Sequence, residues 1–203
     1  QAVDLYPKHP KVKSADFLSH QPRGKDLVTI SNPPFGRNNS LSIPFFNHAA
    51  NHSEYIAFLV PRSWRKWSVQ NRLDRRFHLI SDRDVAVNYV TDSGERIGAN
   101  NDLRTCFQIW QRKKELRPIV KVADRGLIQK CRPEQADLAM RVFGFGCGKS
   151  YRDFPRVPNT TLMFLTVLDA RVFEVIEGLD YERFTLNTSY TRALALPELN
   201  YLL

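Results

Sequence analysis

Cysteine is scarce in this chain. Three residues, Cys106, Cys131 and Cys147, stand among 203. The number is odd and no two of them have metal-ligand spacing, so neither a disulfide framework nor a zinc site is indicated. Thiol chemistry of this kind points to a reducing compartment, and the cytoplasm is the expected setting. No apolar run is long enough to span a bilayer, and no secretory leader is expected. Internal repeats and low-complexity segments are missing as well. Acid is in short supply: 21 Asp and Glu face 30 Lys and Arg, for a net charge of +9. That balance favours a polyanionic partner, nucleic acid first and an anionic membrane surface second. A merely solvated basic surface is the plainer reading of the same number.

What is present reads as one substantial domain with an appendage. "QAVDLYP" reads as the end of a strand closing on Asp4, and "VKSADFL" as a short strand ending near Asp16. "DLVTIS" (26–31) is apolar and β-branched, with Gly24 before it and two prolines after. "IPFFNHAANHS" suits a helix with Pro44 in its first turn, and "EYIAFLVP" (54–61) a buried strand. "SWRKWSVQNRLDRRF" (63–77) spaces Trp64, Trp67 and Leu73 as an amphipathic helix would. "DVAVNYV" (84–90) and "RTCFQIWQR" (104–112) predict further strands, with a polar surface loop over 91–102. Strands alternating with helices imply a parallel sheet with helices on both faces. Beyond "KKELRP" the character changes. "ADLAMRVF", "KSYRDF" and "TTLMFLTV" predict short strands, and "DARVFEVIEGL" a helix capped by Asp169. The expected division is 1–117 for the first domain and 118–203 for a small, β-rich carboxyl-terminal addition with a role in target recognition.

Ligands of open α/β sheets bind beyond the carboxyl ends of the strands. Asp4, Asp16 and Asn32 all fall at such ends in this reading. Asn32 opens the tetrapeptide Asn32-Pro33-Pro34-Phe35. Its side-chain oxygen is a neutral acceptor, and the Pro33 carbonyl is a second one whose direction the proline rings fix. Two fixed acceptors suit one exocyclic amino group, and Phe35 offers a flat face on which its ring can stack.

These residues resemble the [Asn/Asp]-Pro-Pro-[Tyr/Phe] motif of S-adenosylmethionine-dependent amino-methyltransferases, most typically those acting on adenine N6. The resemblance covers roughly residues 1 to 112 and is most specific at the tetrapeptide. It implies a Rossmann-like methyltransferase sheet, mostly parallel. It implies S-adenosylmethionine as cofactor, with Asp4 on the ribose hydroxyls and Asp16 on the cofactor adenine. It makes Asn32, Pro33, Pro34 and Phe35 the catalytic group, with no metal. The family's glycine-rich loop would lie ahead of Asp4, and the chain starts at Gln1, so a partial catalytic domain lacking the first strand and that loop is expected. The implied substrate is adenine N6 in DNA. RNA adenine-N6 or guanine-N2, a protein glutamine amide, and an inactive nucleic-acid-binding module are the alternatives.

Around the motif, Arg37, Arg62, Trp64 and Lys66 are the candidate substrate contacts, cations for phosphate and an aromatic for a base. An amphipathic helix with buried Trp and a solvated basic face reads the same residues without function. Tyr151, Arg152 and Arg156 are weaker candidates in the appendage. "GFGCGKS" (144–150) misses the phosphate-binding loop pattern, because Phe143 stands where its first glycine belongs. A glycine turn between two strands is the preferred reading, with a displaced cofactor loop as the other. His48 and His52 have i, i+4 spacing but no evident third ligand, so a solvated or helix-end pair is expected.

Overall fold

The computed structural model describes residues 1–88, 90, 93–95 and 103–203. Two compact units emerge, one running to Ile119 and the other from Val120 to Leu203. The first opens with β1 (Val3–Asp4) and β2 (Lys13–Ser14), which pair in parallel. There follow β3 (Leu27–Ser31), α1 (Ser42–Ala49), β4 (Ser53–Pro61), α2 (Trp67–Gln70), β5 (Phe77–Val85) and β6 (Thr105–Arg112). The last four strands form one sheet in the order β3-β4-β6-β5. β3 and β4 run parallel, while β6 is antiparallel to both β4 and β5.

The expected Rossmann-like, mostly parallel sheet is therefore not what forms. Among the described residues the sheets are three and small: a mixed one, a two-stranded parallel one, and an antiparallel one in the second unit, with 21% helix. The helices are shorter than expected too, as the β4–β5 connection shows. The single helix expected over 63–77 breaks into a 3-10 turn (Arg62–Arg65), an extended Lys66 at φ −72 and ψ 138, and one turn of α2. Asn47 then holds a non-helical bend: its Nδ2 donates to the Arg72 carbonyl at 3.1 Å and its Oδ1 accepts from the Asp74 N–H at 2.8 Å. Side-chain bonds of this kind compete with helix. β5 nevertheless runs in the same direction as β4, because β6 is antiparallel to both; the one reversed strand of this sheet is β6, which follows β5 in the chain and inserts between β4 and β5, a pairing that needs no crossover helix. β5 begins at Phe77, ahead of the strand expected over 84–90. Tyr89 of that stretch, and most of the expected loop over 91–102, lie outside the described residues.

The core of this unit is aromatic. Phe46 of α1 is fully buried and meets Phe58, Trp64, Phe77 and Trp110 edge-on, with ring centroids 5.9, 5.7, 5.6 and 5.5 Å away. Edge-to-face geometry at these spacings is the favourable one for aromatic rings.

The second unit holds β7 (Ile128–Lys130), β8 (Leu138–Arg141), β9 (Ser150–Tyr151) and β10 (Leu162–Val167), in the antiparallel order β7-β10-β8-β9. Three short helices close it: α3 (Val172–Val175), α4 (Glu182–Thr185) and α5 (Leu196–Leu202). α3 is one turn of the longer helix expected there. Its N-cap is Arg171, with no side-chain cap, and not the expected Asp169; Asp169 Oδ1 instead accepts the Arg171 N–H at 3.0 Å just ahead of the helix, and the Arg171 guanidinium lowers its carboxyl to about 2.

The glycine run joins β8 to β9. At Gly148 φ is +101, and a Cβ there would stand 2.9 Å from the Tyr181 ring. Gly148→Ala is expected to cost about 1–3 kcal/mol through overpacking. Weaker hydrogen-exchange protection in β8 and β9, with β4 unchanged, is the reading that checks it.

Candidate functional site

β3 and β4 are parallel neighbours, so the segments after them leave the sheet at one rim. After β3 comes the tetrapeptide. Pro33 is buried, Phe35 half-buried, and Asn32 and Pro34 are exposed. Neither the Asn32 side chain nor the Pro33 carbonyl has a hydrogen-bond partner among the described residues. The loop itself is tightly held. The Phe35 carbonyl accepts from the N–H groups of Leu41 and Ser42 at 3.3 and 3.4 Å, which fastens it to the start of α1. Gly36 has φ +67, and any Cβ there would lie 2.6 Å from Ser40 Oγ and 2.9 Å from the Leu41 nitrogen. Asn38 and Asn39 are also left-handed, at φ 53 and 60. Asparagine tolerates that region better than most residues.

Asn39 is the residue that joins the two rim segments. It is buried, and its Nδ2 donates to Ser63 Oγ at 3.2 Å. Ser63 lies in the turn after β4, so the tetrapeptide loop and that turn move as one. Sequence reasoning missed both residues; the left-handed pair after Gly36 is the signal that marks the loop as constrained.

The candidate cations separate into two groups. Arg37 is exposed, with no side-chain partner among the described residues. Arg62, by contrast, pairs with Asp84 at 2.7 Å. Arg65 beside it grips Asp82 with two nitrogens, at 2.9 and 2.6 Å, and reaches Asp84 at 2.8 Å. The hydrogen bonds of Asp82, opposed by burial, hold the Arg65 guanidinium above its ordinary range. Gln108 donates to Asp82 at 3.0 Å and accepts from Trp110 Nε1 at 3.2 Å. The turn after β4 is thus pinned to the antiparallel strands. Asp82 and Asp84 lie i, i+2 on β5, but Asp82 falls ahead of the strand expected from the sequence, and neither was singled out.

Trp64 is corrected by the structure. It is fully buried, with Nε1 donating to Ser42 Oγ at 3.2 Å, so its ring packs in the core and cannot stack on a substrate. Lys66 sits half-buried at the hinge between the 3-10 turn and α2.

Asp4 ends β1 and Asp16 lies two residues past β2, so both stand at carboxyl ends of parallel strands, in a sheet separate from that of Asn32. Each spends one oxygen locally: Asp4 Oδ1 accepts from Tyr6 N–H at 2.8 Å and Asp16 Oδ1 from Leu18 N–H at 3.0 Å. Both carboxylates are exposed, so each keeps an oxygen for a hydroxyl or amino donor. That donor set fits the ribose and adenine of the implied cofactor. The Asp16 loop reaches α1, where Phe17 stacks on Phe45 at 5.1 Å and His48 Nε2 donates to the His20 carbonyl at 2.9 Å. His48, in the last turn of α1, is thus tied to the Asp16 loop, and no metal-holding cluster of three is found among the described residues. No helix among them is long and apolar enough to cross a membrane.

Cys106 lies under this rim. Burial, reinforced by Asp82, pushes its thiol up to about 12 from 9.0. A raised pKa favours folding below the unfolded value, and that contribution fades as pH climbs from about 9 towards 12. At pH 8 a thiol reagent is expected to modify half-buried Cys131 first, with Cys106 and Cys147 reacting on unfolding. Titration with a chromogenic disulfide in native and denaturing buffer checks this; equal rates for all three would refute it.

No family model matches this chain, and no curated protein matches it significantly.

Proposed function

We propose that this chain transfers a methyl group from S-adenosylmethionine to the exocyclic amino group of a nucleic-acid base, adenine N6 in DNA. The observation that carries the reading is the pair of unengaged acceptors, Asn32 Oδ1 and the Pro33 carbonyl, on a loop that Gly36, Asn39 and α1 hold rigid. An aromatic amino group is a poor nucleophile because its lone pair is delocalised into the ring. Accepting its two hydrogens at fixed positions favours a more tetrahedral nitrogen and stabilises the positive charge that grows there. The bound cofactor supplies an electrophilic methyl sulfonium. Asp4 and Asp16 would hold its ribose and adenine. Phe35 would replace the stacking that a flipped base loses, and exposed Arg37 would take a phosphate. The net charge of +9 supports a polyanionic substrate, and the reducing cytoplasm is its proposed setting.

Phe35→Ala is expected to weaken binding of an oligonucleotide with an unpaired adenine by about 1–3 kcal/mol. Fluorescence anisotropy measures it, and an unchanged affinity removes the stacking role.

A second reading, a nucleic-acid-binding module without activity, is favoured by one observation: Asp4 and Asp16 lie in a sheet apart from Asn32. Calorimetric titration of S-adenosylmethionine separates the two. The main test is transfer from labelled cofactor to DNA, RNA and protein pools, followed by digestion. Label recovered as N6-methyladenosine from RNA, or on glutamine, would replace the DNA reading. No label in any pool would leave the binding module.

A further inference from the structure

We propose that Lys113 and Lys114, with Arg75 beside them at the end of the four-stranded sheet away from Asn32, grip the phosphate backbone of a nucleic acid. The inference is independent of methyl transfer, because such a contact reads no base and engages no amino group.

Asn32 leaves β3 at the end of the sheet where its parallel neighbour β4 finishes. β5 starts and β6 finishes at the other end, where Phe77 pairs with Arg112. The nine residues of β4 span the distance, roughly 25–30 Å at about 3.3 Å a residue. At the far end the chain beyond β6 turns back across the start of β5. The Lys113 and Arg117 N–H groups donate to the Arg76 and Arg75 carbonyls, both at 2.7 Å. Arg75 Nε donates to the Arg117 carbonyl at 2.8 Å, and His78 Nε2 to that of Glu115 at 2.9 Å. The Arg117 guanidinium is spent on structure, donating to the Gln70 and Phe77 carbonyls at 2.7 and 3.1 Å. Residues 113–117 thus form a fastened strap, and the main chain that carries the two lysines cannot swing away.

Three observations point to an anionic occupant. Cations crowd here with little acid to neutralise them. Burial, together with Arg75 beside it, holds the Arg117 guanidinium below its ordinary range; Asp74 offsets this in part, yet its oxygens are held by Arg76. Lys113 and Lys114 are exposed, and neither side chain has a partner among the described residues, nor do the terminal nitrogens of Arg75. The main-chain N–H groups of Lys114, Glu115 and Leu116 are likewise without a partner among them, and backbone donors of this kind serve phosphate oxygens. The charge of the chain is placed to match. Residues 1–119 hold 19 Lys and Arg against 11 Asp and Glu, and residues 120–203 hold 11 against 10, so nearly all of the +9 belongs to the first unit. A polyanion that runs past several phosphates uses charge spread in this way. Leu116 is exposed beside the lysines, as a membrane contact would need. The strap is not a helix with an apolar face, however, which is the form that interfacial anchors take.

The test is fluorescence anisotropy of a labelled oligothymidine of about 16 residues, which offers phosphates but no exocyclic amino group. The whole chain should bind it, with an affinity that falls as salt rises. Lys113→Gln combined with Lys114→Gln removes two contacts. The logarithmic salt slope should then shrink by about 1.4, and the affinity at about 0.1 M salt by about 25-fold. Both lysines are exposed and without side-chain partners among the described residues, so the tryptophan unfolding midpoint should not move. Lys130→Gln combined with Lys149→Gln removes the same charge from exposed positions of the second unit and should leave the affinity unchanged. The proposal is overturned if the chain does not bind oligothymidine, if the Lys113 and Lys114 variant keeps the wild-type affinity and slope, or if the second-unit pair costs as much. It is overturned as well if phosphatidylserine vesicles are bound and the oligonucleotide is not. Lysine-dependent binding by a chain that transfers no methyl group supports this contact and counts against the catalytic reading alone.

Discussion

Asn32→Ala is expected to lower methyl transfer to an adenine-containing DNA by about 10²–10³-fold, the loss seen when one preorganised polar partner of a transition state is removed. Folding should be untouched. The Asn32 side chain is exposed and has no partner among the described residues, so alanine leaves no buried group unsatisfied. The backbone of the loop is held elsewhere, by the Phe35 carbonyl on α1 and by Asn39 on Ser63. The decline should appear in kcat more than in KM, because the charge that Asn32 stabilises grows only in the transition state. A variant with near-wild-type turnover would remove the mechanism. A variant whose KM alone rises would make Asn32 a binding residue instead. Serine at the same position, a shorter acceptor, should restore little, because the two acceptors act only at matched reach.

The parts of this fold that were legible in the sequence are those decided by nearest neighbours. "DLVTIS" and "EYIAFLVP" are β-branched runs bounded by glycine or proline, and they became β3 and β4. Pro44 sits in the first turn of α1, where its missing N–H does no harm. The placing of Asn32 just past β3 followed from those two facts. Strand direction was not legible. It turns on β6 entering between β4 and β5, antiparallel to both, and no local pattern announces that insertion. The broken helix over 63–77 was hidden for a like reason, since Asn47, some 25 residues away, captures the backbone of Arg72 and Asp74. The basic stretch after β4 misled for a related reason. Trp64 and Arg62 look like a nucleic-acid patch in one dimension, yet their partners, Ser42 and Asp84, come from α1 and β5. Single-residue chemistry at a strand end is readable locally. A charge pair or a buried ring is readable only once the sheet order is known.

That dependence on the sheet makes Phe46 the residue whose loss should matter most to stability. Phe46→Ala is expected to destabilise the first unit by about 3–5 kcal/mol, a large share of the roughly 5–15 kcal/mol by which a domain is stable. The ring is wholly enclosed, and its four aromatic neighbours come from β4, the turn after it, β5 and β6. Four rigid rings cannot close over the vacancy as flexible side chains would, so the cavity term should persist. Phe46→Leu keeps much of the volume and should cost distinctly less. The readout is selective, because Trp64, Trp67 and Trp110 all lie in the first unit, so tryptophan emission during urea unfolding reports on that unit alone. Below the midpoint the alanine variant should also loosen α1, whose first N–H groups hold the Phe35 carbonyl. Faster amide exchange at Leu41 and Ser42 is therefore expected alongside the shifted midpoint. A shift below about 1 kcal/mol would mean that the core closes around the gap, and that the edge-on ring cluster does not set the stability of the sheet.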